Sequence, residues 1–167
     1  KRRDLEQVSE RLNEAAKEIA EANQQLEQGE AELSIAKEEL DAAYETIERL
    51  HLFKEQLAQS HLMTKEEYIE LVNETFVKET EIRENLLLLA EEMFYIPFFV
   101  QAIDTNFLPN IEKAYEEGKK AYEEGLAQYE EGKQELDEKT KEYEEAVRQY
   151  EDGLSQLQAA KRELDDG

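Results

Sequence analysis

Pairs of adjacent carboxylates are the most frequent residues in this sequence whose type and spacing could support acid–base chemistry. Adjacent glutamates recur in its second half, at Glu116-Glu117, Glu123-Glu124, Glu130-Glu131 and Glu144-Glu145. Two carboxylates work as general acid and general base only where burial moves their pKa values apart. These pairs recur at heptad spacing on the side away from the apolar residues. We therefore interpret them as a solvated charged face and not as a catalytic pair.

His51 and His61 are the two histidines, and they lie ten residues apart. A metal site would need further ligands at helical or loop spacing, and no His-Glu-x-x-His, calcium-loop, phosphate-loop or serine-elbow pattern accompanies them. Cysteine is absent, which excludes a disulfide or a thiolate metal site. The sequence predicts no catalytic residue, no cofactor and no metal, and so a chain that is not an enzyme.

A ladder of tyrosines recurs every seven residues from Tyr115 to Tyr150, with Leu136 in one of its places. Such a ladder suggests either a stacking platform for sugars or bases, or the seam between two helices. Small residues are due opposite it in a helix pair, so the seam is the favoured interpretation. The phenolic oxygens would then reach the edge of the interface and stay hydrated.

The apolar run from Met93 to Val100 has two interpretations. It is either the core of a small helical head, or an exposed tip that docks on a partner or dips into a membrane interface. The candidate partner-binding residues are Phe94, Tyr95, Ile96, Phe98 and Phe99. Under the second interpretation, charge substitutions at Phe98 and Phe99 leave the rest of the chain helical but abolish partner function.

The composition limits the possible partners. The chain has 43 acidic and 20 basic residues, a formal net charge of -23, so nucleic acid is not expected to bind. The longest uncharged stretch, Met93 to Ile103, is too short to span a membrane, which takes about 20 apolar residues. The chain begins at Lys1 without an initiator methionine and stops in mid-heptad at Gly167, so we expect a fragment of a longer protein.

Two sustained heptad patterns predict the fold. Large residues recur every seven positions in each half of the chain, and mostly small residues follow three positions later, with Lys139 as an exception. The large residues that we expect in the seam include Leu12, Leu26, Leu33, Leu40, Tyr122, Tyr129, Tyr143 and Tyr150. The prediction is an all-α protein, a long antiparallel two-helix coiled-coil hairpin with a small helical head at its tip. One narrow seam on each arm favours a monomer.

The pairing of the arms follows from their alternation of large and small residues. Antiparallel arms place large residues opposite small ones if, for example, Leu33 faces Gly132 and Leu40 faces Gly125. A register one heptad away, with Leu40 facing Gly132, is the main rival. Either register would let the helices approach closely, which would offset the helix propensity that glycine loses relative to alanine, about 1 kcal/mol.

The loss of the heptad divides the chain into three segments. Residues 1–57 are predicted as the ascending arm, 58–108 as the helical head and 109–167 as the descending arm. Within the head, Thr64 and Glu67 form a capping-box pattern.

Polar residues and prolines predict where the helices of the head break. The polar stretch 79–84 is a candidate kink or break. Pro97 is expected to interrupt the apolar run, since a proline inside a helix removes a hydrogen bond. A short segment would follow to Leu108, with Pro109 in the first turn of the returning arm.

The repeats of the two arms are of a recognisable type. They include Tyr-Glu-Glu-Gly at Tyr115, Tyr122 and Tyr129, Glu-Gln-Gly-Glu-Ala-Glu-Leu ending at Leu33, and Lys-Arg-Glu-Leu-Asp-Asp-Gly ending at Gly167. Over both arms the chain resembles the extracytoplasmic coiled-coil insertion of FtsX-like (MacB-type) ABC transporter permeases of Gram-positive bacteria, whose heptads have the form Leu-x-x-Gly or Tyr-x-x-Gly. It is similar also to repeats in YhgE/Pip-type proteins and RND/MmpL-type exporters.

The resemblance implies a location and a role. The chain would be a stalk on the extracellular face of the cell membrane, joined to the rest of a parent membrane protein. It would transmit motion, or present its head to a substrate or envelope partner, while ATP is hydrolysed on a separate subunit. Lys1, Arg2 and Arg3 would lie near lipid headgroups. The alternatives are an adaptor-like docking hairpin and a cytoplasmic scaffold coiled coil.

Overall fold

Two long helices, of 58 and 59 residues, contain most of the chain. The structure is a computed structural model that describes residues 2–60 and 62–166, with the backbone alone for Arg2. Within these ranges it contains helices and no strand, so the prediction of an all-α helical hairpin is confirmed. The elements are α1 (Arg2–Gln59), α2 (Lys65–Thr75), α3 (Thr80–Glu92), α4 (Ile96–Ala102), a π segment (Ile103–Phe107) and α5 (Leu108–Asp166).

Some predictions concern residues outside the described ranges. They are the metal-ligand possibility at His61, the heptad position of Gly167, and the lipid contact of Lys1 and of the Arg2 side chain. Among the described helices, none combines the length and the apolar character that a membrane crossing requires.

The chain divides into two units. The arm unit comprises Lys1–Ser34 with Glu124–Gly167, and the head unit comprises Ile35–Glu123. The predicted head, residues 58–108, lies within the head unit, which also includes part of each predicted arm. The reason is that Leu50, Phe53 and Leu57 of α1 are fully buried in the same core as the short helices.

The arm unit has a register different from the predicted one. A Cβ placed on Gly132 would lie 3.4 Å from Leu26 Cδ2, and one on Gly125 would lie 3.3 Å from Leu33 Cδ2. The predicted pairing of Leu33 with Gly132 is wrong by one heptad, and its rival, Leu40 with Gly132, is wrong by two. All three registers place leucine opposite glycine, because a seven-residue shift exchanges equivalent heptad positions. The antiparallel direction and the packing of large against small residues are as predicted.

The same register applies to the head unit. A Cβ on Gly118 would lie 3.1 Å from Leu40 Cδ2, so Leu40 faces Gly118 and not Gly125 as predicted. One turn further, the rings of Tyr44 and Tyr115 lie 6.0 Å apart. A Cβ at position 118 would therefore require Leu40 to shift by a few tenths of an ångström.

Two glycine-to-alanine substitutions test whether this close approach of the two helices limits the size of the side chain at position 118. Both should gain helix propensity, about 1 kcal/mol each. At Gly153 a Cβ would meet Leu5 Cδ2 at an ordinary 3.6 Å, whereas at Gly118 it would lie 3.1 Å from Leu40 Cδ2. We expect Gly153→Ala to raise the free energy of unfolding by about 1 kcal/mol in urea denaturation. Gly118→Ala should gain clearly less, or lose stability, and equal gains would contradict close packing at Gly118.

The first short helix begins as the sequence predicted. Thr64 is the N-cap of α2, and its hydroxyl accepts a hydrogen bond of 3.1 Å from the backbone N–H of Glu67. The helix ends at Thr75, before the polar stretch 79–84 in which we expected a kink or a break, and α3 begins at Thr80. The turn is held there by Arg83, whose Nη1 donates to the carbonyl oxygens of Phe76 and Val77.

Neither proline breaks a helix in this structure. The apolar run is interrupted at Met93–Tyr95, and Pro97 lies in the first turn of α4. A backbone N–H in the first turn has no acceptor within the helix, so proline costs no hydrogen bond there. Pro109 is the second residue of α5, but no separate short segment precedes it. The helical backbone continues from α4 through the π segment, with the N–H of Leu108 donating to the carbonyl of Ile103.

Candidate functional site

An aromatic core holds the helices of the head unit together. Tyr68 of α2 stacks on Phe99 of α4 with ring centroids 4.6 Å apart and planes inclined by 20°. Phe53 of α1 contacts Phe76 edge to face at 5.2 Å. The Tyr68 hydroxyl donates a 3.0 Å hydrogen bond to the Leu86 carbonyl, and burial raises the pKa of this phenol. The core therefore joins α1, α2, α3 and α4 into one packed body.

The predicted partner-binding residues do not share one surface. Phe99 is fully buried and Ile96 is 8% exposed, so both belong to the core. Phe94 and Phe98 are half-buried, and Tyr95 is 55% exposed. The apolar run thus supplies both core and surface. Ile96 and Phe99 are not available to a partner in the folded head, and a binding role for the other three stays a prediction.

The predicted seam residues are all half-buried. In the arm unit these are Leu12, Leu26, Leu33, Tyr129, Tyr143 and Tyr150, and in the head unit Leu40 and Tyr122. The glutamate pairs from Glu116 to Glu145 are exposed, as expected of a solvated face. A two-helix seam leaves one edge of each large side chain in water, which explains why these residues are half-buried and not fully buried.

An open groove of about 800 Å³ runs between α3 on one side and α4, the π segment and α5 on the other. Its floor is apolar and consists of side chains that pack against the outside of the aromatic core. The floor residues are Ile82, Leu89, Phe98, Phe107 and Ile111. Leu88 also lines the groove and is 57% exposed. This volume falls in the range of ligand sites, about 300–1,000 Å³.

Amide side chains and two carboxylates provide the polar lining of the groove. The amides are Asn85, Gln101, Asn106 and Asn110, and the carboxylates are Glu81 and Glu92. Among the lining residues in the described part of the chain there is no lysine or arginine. The Thr105 hydroxyl donates to the Gln101 carbonyl at 2.8 Å, so its proton is used within the helix. The groove therefore combines an apolar floor with an acidic and amide-rich lining.

The π segment supplies three of the lining residues: Thr105, Asn106 and Phe107. A π segment widens one turn of a helix, and such segments are frequent at functional sites. Sequence analysis missed this element. The available signal was Pro109, because its ring would clash with the carbonyl of Thr105 in an uninterrupted α-helix.

A polar cluster joins α1 to the start of α3. Arg49 Nη1 is bonded to Glu79 Oε1, and Thr46 Oγ1 lies 3.2 Å from the same oxygen. The Glu79 side chain is 12% exposed, and its Oε2 is buried without a hydrogen-bond partner among the described residues. A second pair, Lys54 with Asp104 at 2.7 Å, joins α1 to the π segment. Both pairs hold the helices that border the groove.

The described residues contain no cluster of three or more side chains suited to a metal ion. His51 Nε2 lies 3.5 Å from Glu112 Oε1, and both side chains are about half exposed. This pair is a surface contact between α1 and α5. The head groove is therefore the candidate functional site, and its chemistry suits binding.

Comparisons of the chain with protein-family models, with curated proteins and with solved structures found no match. The functional argument below therefore relies on the residues of the chain itself.

Proposed function

We propose that this chain is the extracellular stalk and head of an FtsX-like (MacB-type) ABC transporter permease. The observation that supports the proposal most is the use of the Tyr-x-x-Gly and Leu-x-x-Gly heptads. Gly118, Gly125 and Gly132 each receive a leucine of the facing helix, so the repeat that resembles those permeases forms a close seam. A helix pair with such close contacts resists separation and suits the transmission of motion.

In this proposal the two units have different tasks. The arm unit receives a displacement from the membrane segments of the parent protein, and ATP is hydrolysed on a separate subunit. The head unit, with its groove and the exposed Tyr95, contacts a substrate or an envelope partner. Since α1 and α5 each continue from one unit into the other without a break, the backbone itself connects the two tasks.

Cysteine labelling tests the location on which this proposal depends. The natural sequence has no cysteine, so a single introduced cysteine is the only thiol of this segment. We expect Glu91→Cys in the head unit and Glu151→Cys in the arm unit, both at exposed positions, to react with a membrane-impermeant maleimide in intact cells that make the parent protein. Any native cysteine elsewhere in the parent is first replaced.

Labelling that occurs only after lysis would contradict an extracellular location and favour the cytoplasmic scaffold. Labelling in intact cells, combined with unchanged transport after Gly118→Leu, would contradict the transmission of motion. That substitution forces a large side chain against Leu40, where a single Cβ would already lie 3.1 Å away. The docking hairpin or YhgE/Pip-type surface coiled coil would then be the better description.

A further inference from the structure

We propose that the head groove binds a basic amphipathic helix of a partner protein. This inference goes beyond the proposed function, because it concerns the occupant of the groove and holds for any parent protein. It depends on the length of the groove, the apolar residues of its floor, and the sign of its charge.

The length of the groove suits a short helix. Glu81 and Glu92 lie at the two ends of α3 and both line the groove. At 1.5 Å per residue, their separation along the helix is about 16 Å, or three turns. A helix of about three turns laid beside α3 would span the groove from one carboxylate to the other.

The floor provides the contacts that such a helix needs. An amphipathic helix docks in a groove through apolar side chains three, four and seven residues apart. Leu88 is 57% exposed in the folded chain, and its neighbours Leu89 and Phe98 are half-buried. A ligand covering these residues would remove apolar area from water without any change in the core beneath.

The charge of the groove selects a basic partner. Its two charged lining residues are glutamates, and two cations of the head unit are engaged elsewhere: Lys54 with Asp104, and Arg83 with two backbone carbonyls. The last turn of α3 ends in Glu91 and Glu92 and contains no basic residue. Acidic side chains are unfavourable at a helix C-terminus, where the helix dipole is negative. A cation from a ligand would compensate for this local conflict.

The same charges argue against other occupants. A second copy of this chain would bring another formal charge of -23, and both nucleic acid and anionic lipid would meet Glu81 and Glu92. The four amides of the lining suit a helix as well, because they can bond to its polar side chains and terminal backbone groups.

The test is a selection of peptides on the intact chain. A display library of random 14-residue peptides is selected on the wild type, and enriched peptides are measured by fluorescence anisotropy. We expect enriched sequences to have apolar residues at helical spacing and a net positive charge. Leu88→Glu should weaken their binding about tenfold or more, because it places a charge in the apolar contact.

Matched variants separate the groove from the rest of the surface. Leu52→Glu is the control for Leu88→Glu, since Leu52 is 60% exposed on α1 and does not line the groove. Glu91→Gln is the control for Glu92→Gln, since only Glu92 lines it. We expect Glu92→Gln to weaken binding several-fold and to reduce its salt dependence, while both controls bind as the wild type does. Circular dichroism verifies that the variants keep the wild-type helix content.

Several outcomes would overturn the inference. They are a library without enriched sequences, enriched peptides that are neutral or acidic, and binding that is insensitive to Leu88→Glu. Binding of anionic phospholipid vesicles or of soluble glycans that Leu88→Glu abolishes would also overturn it, because the groove would then serve another class of ligand. The cellular location of the chain affects none of these measurements, so the inference and the permease proposal can fail separately.

Discussion

Replacement of Phe99 by alanine is expected to lower the free energy of unfolding of the head unit by about 3–5 kcal/mol, the usual loss for a buried phenylalanine. Phe99 is fully buried, stacks on Tyr68 and contacts the rings of Phe94 and Phe98 at 5.7 and 6.1 Å. Its removal leaves a cavity at the point where four aromatic rings meet. Urea denaturation followed by near-ultraviolet circular dichroism, which reports packed aromatic side chains, measures the loss.

Tyr95→Ala is the matched control for this prediction. Tyr95 belongs to the same apolar run but is 55% exposed, so its replacement should change stability by about 0.5 kcal/mol or less. Equal losses for the two variants would show that the run is not divided between core and surface. A charge at the fully buried position 99 would unfold the head, so of the two charge substitutions expected from sequence only the one at Phe98 still tests partner binding.

Removal of the Arg49 side chain should cost about 1.5–3 kcal/mol, the range for a hydrogen bond to a charged group. Arg49 is bonded to Glu79, whose carboxylate is mostly buried and already has one oxygen without a partner. Arg49→Ala leaves that charge with the Thr46 hydroxyl at 3.2 Å, whose single proton is shared with the Ala42 carbonyl at 2.9 Å. Chemical denaturation of the single and double variants with Glu79→Gln gives the coupling between the two residues.

Two comparisons decide this second prediction. In the Arg49→Ala background, Glu79→Gln should recover part of the lost stability, because a neutral amide is less costly to bury than an unpaired carboxylate. Lys54→Ala should cost less than Arg49→Ala, since the Lys54 and Asp104 side chains are 26% and 48% exposed and such pairs contribute about 0–1 kcal/mol. If Lys54→Ala proves as damaging, burial is not what gives the Arg49 pair its importance.

The heptads were sufficient to predict the class of the fold and the antiparallel packing of large against small residues. They could not predict the register. Leu26, Leu33 and Leu40 are equivalent in the repeat, so each can face Gly132 with the same local fit. A choice among these registers needs contacts outside the repeat, such as the head core, where Leu50, Phe53 and Leu57 pack with Leu108. This packing joins residues far apart in the sequence, so the heptad periodicity does not indicate it.

The groove also could not be predicted from the sequence. The apolar run was recognised, but its division into the buried Ile96 and Phe99 and the exposed Tyr95 depends on where α4 begins. The polar lining comes from residues such as Asn85 and Asn110, which are far apart in sequence and have no motif of their own. They come together because α4, the π segment and α5 form one uninterrupted helical path.

The repetition of leucine opposite glycine has a mechanical consequence. If α1 slid along α5 by one heptad, about 10 Å, Leu33 would leave Gly125 and meet Gly132 or Gly118, while another leucine of the seam would meet Lys139. The contacts between leucine and glycine alone therefore do not single out one register. A force that loosened the core of the head unit would then let α1 shift against α5 in steps of one heptad.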